Sequence, residues 1–327
     1  MLNKITTILE CSRVFSLPMT IMSWLVIYVF GIIDSGNIYY GILALIGICL
    51  VHLGTNILDD YFDYKFLIKQ VDFNKKNYLA NTQKTKCRYI ISGLMSAKQV
   101  LLVGIFYFTT AIFIGLYFYI ICGKPVIYFG LAGGIIALVY SFVSRIRLSE
   151  LAVGLAYGPA LFGGVYYVMT RTLSWEIFII SIPTTIMTIV LLYIHTVMDY
   201  EYDLKEEHLT ISNFFNSQLD SLIILKILLV LAYISPMILC ILDISDWQVL
   251  LCWITIPLAI DLYYSMIDYA TDPKSIPNKK WFHFPMENMN RIKKIGAESF
   301  MTRMYQSRNL MIYFSIFLTI GIILASL

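Results

Sequence analysis

Three aspartates stand within five residues, Asp59, Asp60 and Asp63, in the stretch NILDDYFDYK from Asn56 to Lys65. On a helix Asn56, Asp60 and Asp63 fall at i, i+4 and i+7, which is one face. Oxygen-bearing side chains gathered this way repel one another unless a cation sits among them. A hard divalent ion suits such donors: Mg²⁺, or Mn²⁺ in its place, takes oxygen ligands, keeps some waters and is commonly shared with substrate phosphates. A second stretch, MDYEYDLKEE from Met198 to Glu207, repeats the pattern, with Asp199 and Asp203 at i and i+4. Two paired-carboxylate faces read as the halves of one polyvalent metal site, provided that both lie on the same side of whatever holds them. The plainer reading of each face alone is a solvated acidic helix end.

What holds them is a membrane. The 327 residues are 59% hydrophobic and only 14% charged, with a mean hydropathy of +0.74; a soluble domain averages about 25% charged residues. The pattern predicts an all-α, polytopic membrane protein built as a single membrane-embedded domain over 1–327, with no nucleic-acid partner and membrane lipid around it. Nine apolar stretches, near 15–33, 38–57, 99–121, 125–144, 150–169, 174–197, 220–242, 247–268 and 308–326, have the length that a helix needs to cross about 30 Å of hydrocarbon. No cleavable leader is expected at the N-terminus. The six cysteines show neither C-x-x-C nor a histidine at ligand spacing, so they read as small core residues.

Each acidic stretch follows an even-numbered span. With nine spans, the N-terminus and the even-numbered connectors share one side. That side carries 21 of the 24 basic residues; Lys124 and Arg171 lie opposite, and Lys226 falls inside a span. The bias places it in the cytoplasm, in a bacterial cell membrane, with the C-terminus outside. Both carboxylate faces then meet on the cytoplasmic side. Four spans separate them, a coarse echo of two four-helix halves plus one extra helix.

The connector after the second span, KKNYLANTQKTKCRYIISGLMSAKQV, is more basic than orientation requires. Lys84, Lys86 and Arg88 precede a turn at Ser92-Gly93, and Ser96 is placed to cap a following helix. One reading is a polybasic strip held to anionic headgroups. The other is a cationic lid over an anionic substrate, since Arg matches phosphate oxygens bidentately and Lys acts as a point charge.

These residues carry a resemblance. NILDDYFDYK resembles the first Asp-rich motif of the UbiA prenyltransferase superfamily, motif one near 56–72, and DYEYD resembles the second, near 199–203. RYIISGLMSAKQV is similar to the family's segment after motif one. SRVFSLPMTIMSWLVIYVFG, with Arg13 and Pro18, resembles its first span. VYSFVSRIRLSELAVGLAYGP, with Tyr140 and Gly158-Pro159, resembles its fourth-to-fifth span region. The likeness implies transmembrane helices enclosing a central cavity under a cytoplasmic cap. It implies transfer of an isoprenoid group from a polyprenyl diphosphate to a small aromatic acceptor, nearest to the 1,4-dihydroxy-2-naphthoate branch of menaquinone synthesis. Asp60, Asp63, Asp199 and Asp203 are then the catalytic carboxylates, holding Mg²⁺ together with Asn56. Arg13, Arg88 and Lys205 face the diphosphate, and Tyr140 offers an aromatic face to the allylic cation.

Three features depart from the family pattern. Leu67 stands where motif one has a further acid, with Asp72 as its only substitute; Glu207 replaces a common glycine; and the connector 269–307 is long and polar. That connector is expected to be a second cap or a membrane-surface helix. His195, one turn before motif two, reads as a hydrogen-bonded helix-end histidine, while His52, His208 and His283 show no telling spacing. Another acceptor (4-hydroxybenzoate, a glycerol-phosphate ether lipid, a haem or chlorophyll type) fits the same chemistry. A divalent-cation or phosphate-ester transporter is the reading from a different class, although acids at span ends and apolar span middles argue against it. Oligomeric state is not legible.

Overall fold

The computed structural model describes residues 2–69, 74–75, 87–144, 146–205 and 209–327, with side chains for all of these except residues 2–4 and Lys205. A short helix, α1 (Leu2–Cys11), turns sharply at Arg13, whose φ is +56°. Among the described residues nine helices follow that are long and apolar enough to cross a bilayer: α2 (Val14–Ile33), α3 (Ile38–Leu67), α4 (Ala97–Cys122), α5 (Pro125–Val143), α6 (Ser149–Thr170), α7 (Glu176–Met198), α8 (Gln218–Ile241), α9 (Trp247–Thr271) and α10 (Glu298–Ala325). Among the described residues the only β pairing is an isolated bridge between Ile146 and Leu209.

The ends of these helices follow from local sequence. Asn37 caps α3 by accepting from the Tyr40 amide at 3.1 Å. Ser96 and Gln99 form a reciprocal capping box on α4, in line with the expectation for Ser96. Ser217 caps α8 through the Asp220 amide, and Pro125 opens α5, where its missing N–H costs nothing. In α6, Gly158-Pro159 lies within the helix. Pro159 has no amide proton to give, and the chain answers with a wide π-type turn over Ala156–Ala160.

Burial sorts the helices. In α7, 61% of the apolar window is buried inside the protein, against 6% in α5, so α7 is central and α5 faces lipid. Tyr193 and Ile194 of α7, Phe162 of α6, Leu222 and Leu225 of α8, and Phe314 of α10 are among the largest fully buried side chains and belong to one core cluster. Between apolar helices in lipid it is close fit, not water exclusion, that holds such contacts. Gly321 is an instance: a Cβ there would stand 2.3 Å from the Gln248 carbonyl oxygen, so only glycine lets α10 approach the start of α9.

Two spans differ from the expected bounds. Helix α3 continues ten residues beyond 57, so motif one is carried inside a helix. Its acids are not a solvated end: Asp59 and Asp60 are 2% and 3% exposed. Helix α10 begins at Glu298, not near 308, which draws Arg303 out of the connector and into the core at 0% exposure. Its guanidinium donates to the carbonyls of Ser265 (2.7 Å), Ser275 (2.9 Å) and Ser299 (3.1 Å), and to the hydroxyls of Ser275 and Ser299. It also lies over the Tyr269 ring. A planar five-donor fork is what can satisfy so many oxygens at once. Arg303 thus joins α9, the connector and α10, a structural duty that its charge alone would not have revealed.

Candidate active site

The helices enclose a cavity of about 1340 Å³. Asn56, Asp60 and Asp63 reach it from α3, Asp199 and Asp203 from the end of α7 and the short helix Tyr200–Lys205, Arg13 from the turn before α2, Arg88 from the helix Arg88–Ile91, and Tyr140 from α5. Lys205 ends the helix Tyr200–Lys205, and its side chain lies outside the described residues, as do Lys84, Lys86, Asp72, Glu207 and His208.

Motif one is built around Arg13. The guanidinium pairs closely with Asp60 and stands 3.7 Å from Asp59. Burial works against the Arg13 charge, but Asp60 and Asp59 outweigh it and hold its pKa above the ordinary arginine value. The left-handed turn that aims Arg13 is held by Asn56, whose amide nitrogen donates to the Ser12 carbonyl and the Ser16 hydroxyl, each at 3.1 Å. Asn56 is therefore a brace for Arg13 before it is anything else. Cys87, also left-handed at φ +57°, donates its thiol to the Asp60 carbonyl at 3.2 Å. This contact seats Arg88 beside motif one.

At motif two, His195 Nδ1 lies 3.2 Å from Asp199 Oδ2, one helical turn away. Asp203 is 7% exposed. The side chains of the two motifs that line the cavity, Asn56, Asp60, Asp63, Asp199 and Asp203, all offer oxygens, the donor that suits a hard cation. Among the described residues no three His, Cys, Asp or Glu side chains close into a cage of their own. An ion that keeps waters and shares substrate oxygens needs no such cage.

Other wall residues were not legible in the sequence. The connector before α10 brings Glu287, Asn288 and Arg291 to the cavity, with Glu287 held 2.9 Å from Arg308 of α10. Near them Tyr89 donates to Glu10 at 2.9 Å. Burial, and then that bond, raise the Tyr89 phenol above its usual pKa, so it stays a donor. Deeper in the wall, His52 of α3 meets Ser16, Thr20 and Tyr157. The signal for His52 was present: it precedes Asn56 by four residues and Asp60 by eight, along one helical face.

The sequence matches the UbiA prenyltransferase family profile over residues 16–289. The chain belongs to that family. It is thus a membrane prenyltransferase, and the transporter alternative falls. The fold agrees with solved UbiA structures. A UbiA homologue from Archaeoglobus fulgidus, bound to GPP and Mg²⁺, superposes with a TM-score of 0.58 at 14% identity, covering 93% of this chain and 99% of that one. The same homologue bound to DMAPP and Mg²⁺ gives 0.57 at 14% identity, with coverage of 93% and 99%. A structure from work on digeranylgeranylglyceryl phosphate synthase gives 0.57 at 16% identity, covering 95% and 98%. At this identity the likeness speaks for the fold. A search of curated proteins found no match. Within this UbiA chain, the position after Asp63 where the sequence lacks the further acid is the last turn of α3, with Leu67 at its end.

Proposed function

We propose that this UbiA chain transfers an isoprenoid group from a polyprenyl diphosphate to a small aromatic acceptor of the quinone-precursor class, with 1,4-dihydroxy-2-naphthoate as the leading candidate. One observation carries the reading: both acid faces, Arg13 and Arg88 line one cavity whose remaining wall is mainly apolar. Asn56, Asp60, Asp63, Asp199 and Asp203 would hold Mg²⁺, the metal in the GPP and DMAPP complexes of the archaeal homologue. Bound there, the metal supplies charge neutralisation to a departing diphosphate. Arg13 pairs with Asp60 and Asp59 and holds them in place. Arg88 and Lys205 contact the diphosphate from the connectors. The apolar wall excludes water from the allylic carbon, and Tyr140 offers it an electron-rich face.

The whole chain forms one membrane domain in this reading. The described segments 87–96 and 272–297 cap the cavity on the cytoplasmic side of a bacterial membrane, the side that the basic-residue bias indicates. Reporter fusions should then find the N-terminus inside and the C-terminus outside; both on one side would refute this topology.

The experiment for the function supplies purified protein with Mg²⁺, isotope-labelled geranyl diphosphate and a panel of acceptors, and reads the product by mass. A prenylated dihydroxynaphthoate is expected. Prenylation confined to a glycerol phosphate would replace the aromatic reading.

The lid carries its own expectation. A charge-assisted contact contributes about 1.5–3 kcal/mol, roughly 10- to 150-fold in rate or affinity. Arg88→Ala and Lys205→Ala should therefore raise KM for the diphosphate, or lower kcat if the contact tightens as the bond breaks. KM for the acceptor should move much less. Unchanged diphosphate parameters in both variants, measured in detergent, would leave these residues as lipid anchors only.

A further inference from the structure

His52 and its neighbours form a polar cluster in the cavity wall that the metal-and-diphosphate reading does not use. Tyr157 and Thr20 each place a hydroxyl 2.6 Å from His52 Nδ1, and the Ser16 hydroxyl lies 2.7 Å from Nε2. All four residues line the cavity. Ionisable and polar groups at membrane depth are costly and usually serve a function. Tyr157 also lies within the π-type turn of α6, a distortion that recurs at functional sites.

The proton directions follow from the partners. Ser16 has one hydroxyl proton, and it goes to the Arg13 carbonyl at 2.7 Å, which can only accept. Ser16 therefore accepts from Asn56 and from His52, so Nε2 carries the imidazole proton. In the neutral ring Nδ1 is then an acceptor with a single lone pair. One hydroxyl proton of the pair occupies Nδ1. The hydroxyl that gives it is turned inward and offers its oxygen lone pairs to the cavity, and the ligand group that complements them is a hydrogen-bond donor.

We propose that the Thr20–His52–Tyr157 cluster binds a hydroxyl of the acceptor, with His52 as the positioning residue that fixes which way the Thr20 and Tyr157 hydroxyls point. The proposal rests on the transferase reading above and adds the class of acceptor group recognised: a free hydroxyl, not its ether. The placement suits the reaction. His52 precedes Asn56 by one turn of α3, about 6 Å along the axis, so an acceptor anchored here lies beside the acid face and within the apolar part of the cavity.

The test compares wild type, Tyr157→Phe and His52→Ala with Mg²⁺ and geranyl diphosphate, using 1,4-dihydroxy-2-naphthoate and its two mono-O-methyl ethers. Wild type should prefer the free diol to one of the ethers. Tyr157→Phe keeps the ring and removes only the hydroxyl. It should raise the diol KM about tenfold and reduce the diol-over-ether preference by a similar factor, as expected for one lost hydrogen bond in a buried site. Equilibrium binding of geranyl diphosphate should stay unchanged in Tyr157→Phe. His52→Ala should show the same loss of preference. An unaltered preference in Tyr157→Phe would overturn the proposal while leaving the transferase reading intact. Failure of wild type to bind Mg²⁺ and geranyl diphosphate would overturn the transferase reading instead. Wild type that binds them yet prenylates neither diol nor ether would contradict a hydroxyl-anchored aromatic acceptor altogether.

Discussion

Asp60→Ala, Asp63→Ala, Asp199→Ala and Asp203→Ala are each expected to lower kcat/KM by about 100- to 1000-fold. This is the loss typical of removing one preorganised group that stabilises developing charge, roughly 2.7–4 kcal/mol. The more telling variant is Asp60→Ala combined with Asp199→Ala. If the faces from α3 and α7 serve one cluster of cations and one diphosphate, the first substitution already breaks the unit and the second adds little. Losses that multiply in full would mean two independent sites. A double variant that turns over near the wild-type rate would remove the shared site from the account.

The second large effect concerns Arg13. Its guanidinium is a counter-charge for two carboxylates that are almost completely buried. Arg13→Ala should therefore destabilise the metal-free protein by about 3–5 kcal/mol, the usual consequence of removing one partner of a buried ion pair. Added Mg²⁺ offers those carboxylates another counter-charge, so the variant should gain more thermal stability from Mg²⁺ than wild type does. Unfolding curves in detergent, with and without Mg²⁺, measure both. Equal Mg²⁺ shifts in the two proteins would show that the ion does not reach Asp59 and Asp60.

Nine spans and both acid faces were legible because they rest on strong, local signals: long apolar runs, and carboxylates spaced one helical turn apart. Where the span bounds failed, the reason was a charged residue read as a marker of water. Asp59 and Asp60 extend α3 inward because Arg13 compensates them from another segment, and no spacing rule connects residues 13 and 60. Arg303 was counted as a surface cation, whereas backbone carbonyls from three segments solvate it. His52 carried a periodic signal, four residues ahead of Asn56, but its partners Ser16, Thr20 and Tyr157 come from two other helices. Tyr157 lies within the π-type turn that carries Gly158-Pro159. Family membership supplied the chemistry, and the fold brought together groups far apart in the chain.

The central claim is that the two acid faces bind one diphosphate through shared Mg²⁺. Equilibrium binding of radiolabelled geranyl diphosphate to the purified protein, titrated with Mg²⁺, tests it most directly. The account predicts tight binding only when Mg²⁺ is present, and its loss in Asp60→Ala and in Asp199→Ala alike. Binding that is independent of Mg²⁺, or that survives the loss of either face, would contradict it.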